Sequence, residues 1–147
     1  MTAPLDYDRH DLRRACLHEG AHCIVARYFG IQAHAHVEPT GTDDPMNYKA
    51  WVGRTSLFMI ADACQRRLIG LAGTVAEELD CNPNADAIDL FDSLESGTIF
   101  LSDTDSNLVG PYTDDDVAQC MALVRELWHL ILNECELMMN QARELSA

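Results

Sequence analysis

The 147-residue chain contains no apolar run near the 18 or so residues that cross a bilayer, so no membrane span is expected. Its opening segment, MTAPLDYDRHDLRR, carries charges but no hydrophobic stretch of the kind a secretory signal needs, and a cytoplasmic location is the expectation. Basic residues are scarce: Lys and Arg total 10 against 24 Asp and Glu, a net charge of −14. That deficit argues against nucleic acid and anionic lipid as partners, since either would be repelled. It also disfavours acidic substrates. No CxxC pair occurs among Cys16, Cys23, Cys64, Cys81, Cys120 and Cys135. A disulfide framework or a cysteine-based zinc site is therefore not expected, and reduced thiols are the default. No repeat, low-complexity tract or linker divides the chain, so residues 1–147 read as a single domain with enough apolar sequence for a core.

What the chain does have is His18-Glu19-Gly20-Ala21-His22, an HExxH motif. On a helix, residues four apart share a face, so His18 and His22 can converge on one metal ion. Glu19 lies about 100° further round, at the edge of that face, where it can take a proton from metal-bound water. Two imidazoles and a carboxylate are the minimum equipment of a zinc hydrolase. Ala15, His18, His22, Val25 and Phe29 follow one another at three- and four-residue steps. The histidines thus sit on an otherwise apolar stripe, as in a partly buried metal site.

The first helix is expected over about 8–29, capped by Asp6 or Asp8 and stopped by Gly30. Residues 34–38 alternate in polarity, residues 39–45 read as a turn-rich loop, and 50–58 as a second strand. His34 and His36 share one strand face, but no third ligand is spaced to join them, and they read as ordinary strand histidines. Ile60, Cys64, Leu68, Leu71, Val75 and Leu79 mark the buried face of a second helix. Gly70 and Gly73 inside it are costly and point to a close approach by another element. Residues 82–113 read as a long loop with one short helical turn around 88–94. Thr113 looks like the N-cap of a last helix with three aspartates in its first turn. The apolar seam of that helix runs from Val117 to Leu145, long enough to leave surface for a separate protein partner. The fold class expected is mainly α with a small β-sheet (α+β) of two or three strands.

A catalytic zinc takes three protein ligands, and the third is not a nearby histidine: position 28 of the HExxHxxGxxH spacing is Tyr28. Residues 14–29, RACLHEGAHCIVARYF, resemble the active-site helix of the FtsH-type ATP-dependent zinc endopeptidases. Residues 68–79, LIGLAGTVAEEL, are similar to that family's Leu-Ala-Gly-x-x-Ala-Glu-Glu signature, and residues 113–124, TDDDVAQCMALV, to its Asn-Asp-Leu-x-x-Ala helix start. The resemblance covers most of the chain and implies an FtsH peptidase-domain-like fold with an HExxH zinc-binding active-site helix. It implies Zn2+ held by His18, His22 and an aspartate matching Asp116, with Asp115 the nearest competitor and Asp103 and Asp105 behind it. It implies also that Glu77 or Glu78 steadies a ligand histidine through its second nitrogen.

The family reads His-Glu-Ala-Gly-His, whereas Gly20 and Ala21 are exchanged here. The phosphate-binding Gly-x-x-x-x-Gly-Lys-Ser/Thr loop of the family's ATPase module is absent from this chain. The function expected is therefore that of a zinc-dependent metalloendopeptidase acting on peptides or unfolded protein, with Glu19 as general base. The alternative is a degenerate peptidase fold serving as a metal-binding or protein-interaction module without proteolysis. Zinc-dependent hydrolysis of a small non-peptide amide is a third. The family's peptidase domains assemble as rings, so a homo-oligomer is among the implied states.

Overall fold

A computed structural model describes residues 3–39, 51–58 and 62–146. The turn-rich stretch expected at 39–45 lies outside them beyond Pro39, as do Ala50 and Ile60. The first helix, α1 (Ala3–Tyr28), begins before Asp6 and Asp8, so neither aspartate stands at its N-terminus as a cap. From Leu12 to Ala26 it is buried on nearly every side, with Cys16, Leu17, Ala21, Cys23 and Val25 essentially inaccessible. It is more a central core helix than a surface helix with one apolar stripe. Gly30, at φ +76°, ends it in the left-handed region that glycine enters without penalty.

Strands β1 (Ala33–Pro39) and β2 (Trp51–Leu57) pair antiparallel, with Ala33 opposite Leu57 and Pro39 opposite Trp51. Alternation puts Ala33, Ala35 and Val37 against α1 and leaves His34 and His36 exposed on the outer face. Among the described residues β2 pairs only with β1.

Helix α2 (Ala63–Cys81) packs along α1, and small residues set how closely. Its N-cap, Asp62, accepts from Gln65 N at 2.8 Å. The region expected to be mostly loop holds two more helices. One is α3 (Ala87–Ser96), opened by Asp86 and closed by Gly97 at φ +77°. The other is α4 (Asp103–Val109), opened by Ser102 and followed by Gly110. Helix α4 is short and made of weak helix formers, so neither length nor propensity announces it. It forms because it docks on α2 at Gly70, where an added Cβ would collide with Val109 Cγ2 and lie 3.4 Å from Asp105 O.

The single last helix expected is two: α5 (Asp114–Glu126) and α6 (Trp128–Ser146), broken at Leu127 (φ −94°, ψ 8°). No proline or glycine marks the break, and the apolar seam runs straight through it. Val117, Cys120, Met121, Val124, Ile131, Cys135, Met138 and Ala142 are all buried. The result is α+β, mainly helical, with a two-stranded sheet beside α1. No helix among the described residues is long and apolar enough to cross a membrane. All six cysteines are free thiols. Burial raises four of them, Cys16 to about 12, Cys23 and Cys135 to about 11, and Cys120 further.

Candidate metal centre

The motif folds as its spacing requires. His18 and His22 are one turn apart on α1, their rings 4.7 Å between centroids in an edge-to-face arrangement. Each ring is held through Nδ1. His22 Nδ1 lies 2.6 Å from Ile69 O, and His18 Nδ1 lies 2.6 Å from Glu77 Oε2. A carbonyl accepts only, so His22 Nδ1 carries a hydrogen and Nε2 is the atom turned to the site. Glu77, rather than Glu78, is the acid that meets the His18 ring.

Both Nε2 atoms turn toward one carboxylate, that of Asp105 on α4. His18 Nε2 is 2.9 Å from Asp105 Oδ2, and His22 Nε2 is 3.3 Å from Asp105 Oδ1. Ligand-type atoms of these three residues all lie within 4.8 Å of one another. The structure brings Asp105, and not the expected Asp116, to the two histidines. The carboxylate of Asp116 faces its own helix start, where Oδ2 accepts from Thr113 N at 2.9 Å in a capping box, and Arg67 on α2 stands 3.5 Å from Oδ1. Asp115 accepts from Gln119 Nε2 at 2.9 Å on the exposed side of α5. Asp103 lies in the first turn of α4 and is exposed.

The donor set fits zinc. Two imidazoles and one carboxylate are a catalytic zinc complement that leaves a position open. His22 Nε2 is buried and makes no well-directed hydrogen bond in the protein. Buried acceptors facing a carboxylate are costly unless a proton or cation stands between them. At His18 a proton does so in the metal-free chain. Burial opposes its charge, but the hydrogen bonds to Asp105 and Glu77 and the charges of Glu77 and Glu19 outweigh burial and raise it to about 10. The same contacts overcome burial at the acids, holding Glu77 below the usual carboxylate range and Asp105 far below it.

Two glycines make room. An added Cβ at Gly73 on α2 would stand 2.5 Å from His18 Nε2, and one at Gly53 on β2 would collide with Glu19 Cγ. The close approach expected of Gly73 is thus to the His18 ring itself, while Gly70 seats α4. Glu19 is nearly buried, and its Oε2 accepts from Thr55 Oγ1 at 2.9 Å, which fixes the carboxylate between α1 and β2. A cleft opens over His18, Glu19 and His22. One wall is β2 from Trp51 to Leu57; the other is formed by Ile99, Phe100, Leu101 and Leu108.

The carboxylate that sequence reasoning passed over, Asp105, had one signal in the sequence: Ser102-x-x-Asp105 is a helix-start pattern of the same kind as Thr113-x-x-Asp116. No protein-family model matches the chain, and no curated protein matches it.

Proposed function

We propose that the chain is a zinc-dependent metalloendopeptidase that hydrolyses peptide bonds in flexible or unfolded polypeptide. The observation that carries this reading is the convergence of His18, His22 and Asp105, with Glu19 fixed beside them in an open cleft. The resemblance of residues 14–29 and 68–79 to the FtsH-type peptidases supports the same reading. His18 Nε2, His22 Nε2 and an oxygen of Asp105 would hold the metal. Zinc bound by such a set acidifies water and polarises a carbonyl oxygen.

The chain's own residues do the rest. The edge of β2 that pairs with no described strand would offer backbone donors and acceptors to an extended peptide, laying its scissile bond across the cleft. A Glu19 carboxylate oxygen takes a proton from the attacking water as its oxygen bonds to the carbonyl carbon. Glu19 then returns that proton to the amide nitrogen as the C–N bond breaks, leaving an amine and a carboxylic acid whose remaining proton is then lost to water or to the amine. Thr55 keeps Glu19 from rotating away between the two transfers. Glu77 and Ile69 O keep the rings aimed.

Glu19→Gln tests the reading. It keeps the side chain's size and removes its basicity, so zinc content stays at the wild-type level. Cleavage of casein or a flexible peptide falls by at least about a hundredfold, the lower range of a general base's contribution. Equal cleavage by both proteins contradicts the mechanism. Zinc bound by both, with cleavage by neither, favours the non-proteolytic metal-binding module instead.

A further inference from the structure

Four residues of α1, Asp11, Arg14, His18 and His22, follow one another at three- and four-residue steps and line one face. The last two are metal-ligand candidates. The first two form a continuous polar connection to them. Trp51 N, at the first residue of β2, donates to Asp11 Oδ2 at 2.8 Å. Arg14 donates to Asp11 Oδ1 through Nε at 3.2 Å and Nη2 at 2.9 Å, which clamps the guanidinium in one orientation. Its remaining arm, Nη1, reaches Glu77 Oε1 at 3.5 Å, and the other oxygen of Glu77 holds His18 Nδ1 at 2.6 Å.

We propose that Arg14 is a positioning residue that locks the Glu77 carboxylate on His18, and that Asp11 holds both Arg14 and the start of β2. One buried aspartate thereby ties the strand that flanks the cleft to the ring that ligates the metal. The inference rests on the metal-site reading above. Its physical basis is that a carboxylate with two oxygens and one bond can swing, whereas one pinned at both oxygens cannot. Asp11 is 7% exposed and its carboxylate is used on both sides, by a backbone N–H and by Arg14, as a buried acid must be.

The test is zinc affinity, measured on the whole chain by competition with a chromophoric chelator. Glu77→Gln is expected to weaken binding by about 10–100-fold, the range for partners of ligand histidines. Arg14→Met is expected to weaken it by roughly tenfold, Arg14→Lys by less, and Asp11→Asn by about as much as Arg14→Met. The decisive comparison is Arg14→Met in the Glu77→Gln background, where its effect shrinks to about twofold or less if Arg14 acts through Glu77. An undiminished effect in that background overturns the proposal. So does an Arg14→Met protein that binds zinc as well as or better than wild type, because Arg14 would then act only as a nearby positive charge. Should Asp11→Asn unfold the protein by circular dichroism, the Arg14 cycle still decides, since the Arg14 side chain is 35% exposed. Wild type that takes up no zinc sinks the metal-site reading itself. Tight zinc binding with no Arg14–Glu77 coupling sinks only this inference.

Discussion

Ser102-Asp103-Thr104-Asp105 and Thr113-Asp114-Asp115-Asp116 open two helices with the same local grammar. In each, the hydroxyl of the first residue accepts from the backbone N–H of the aspartate three residues on, at 3.1 Å in α4 and 3.3 Å in α5. The carboxylates then part ways. Asp116 folds back onto Thr113 N, closes the capping box and faces Arg67. Asp105 leaves its helix start, is buried and meets two imidazoles. The difference is tertiary. Helix α4 sits on Gly70, where α2 has no side chain and the backbones come close, and that brings Asp105 within reach of α1. Helix α5 places Asp116 beside a cation. The local pattern fixes where a carboxylate starts, and the neighbouring helix decides what it does.

Breaking each aspartate gives the largest contrast. Asp105→Ala is expected to lower zinc affinity by more than about a hundredfold, beyond what loss of an outer partner costs. Asp116→Ala leaves zinc affinity unchanged and costs about 1 kcal/mol of stability through the lost cap, read as a lower denaturant midpoint. Zinc loss in Asp116→Ala alone, measured by elemental analysis after dialysis, would reverse the assignment.

Gly73→Ala comes next. The new methyl would meet His18 Nε2, and the ring must move off the metal position, so zinc affinity falls by about 10–100-fold. Gly20→Ala is the control. Its Cβ would stand 3.5 Å or more from Cys135 N, Glu134 Cβ and Ile131 O, ordinary contacts, and zinc binding should be kept.

The smallest effect is a pH dependence in the metal-free chain. His18 is raised from 6.5 to about 10, so its contribution to stability is complete below pH 6.5 and is lost as pH climbs toward 10. Asp105 and Glu77 are lowered from 3.8 and 4.5, so theirs is complete above pH 4.5 and is lost as pH falls below those values. The site therefore stabilises the metal-free fold most between pH 4.5 and 6.5. Zinc bound at His18 Nε2 would have to displace that proton. Calorimetry at pH 8 in buffers of different ionisation enthalpy should report about one proton released per zinc bound. No release would mean that His18 is already neutral or is not a ligand.

How far the sequence reaches can be judged residue by residue. The helical pair His18 and His22, with Glu19 beside them, is local information, and a five-residue motif suffices to read it. The two strands and most of the buried face of α2 follow from periodicity, but Cys64, expected on that face, is exposed, and α1 is buried on nearly every side and not along one stripe. Asp105 is not local information. It lies 87 residues from His18 on a seven-residue helix, five of whose residues are Asp, Ser, Thr or Asn, that packing stabilises. Matching residues 113–124 to a family signature selected Asp116, because both aspartates satisfy the same helix-start pattern. Glu77 and Glu78 could not be told apart by sequence, since only the rotation of α2 against α1 decides which faces His18. The break at Leu127 carries no sequence mark, because its seam residues suit one long helix as well as two.

Crystals of the zinc-loaded protein, measured at the zinc absorption edge, test the central assignment most directly. The account predicts an anomalous peak about 2.0–2.2 Å from His18 Nε2, His22 Nε2 and one oxygen of Asp105, with Glu77 still on His18 Nδ1 and Asp116 still in its capping box. A peak bonded to Asp116, or one that bridges the two histidines without Asp105, would contradict it.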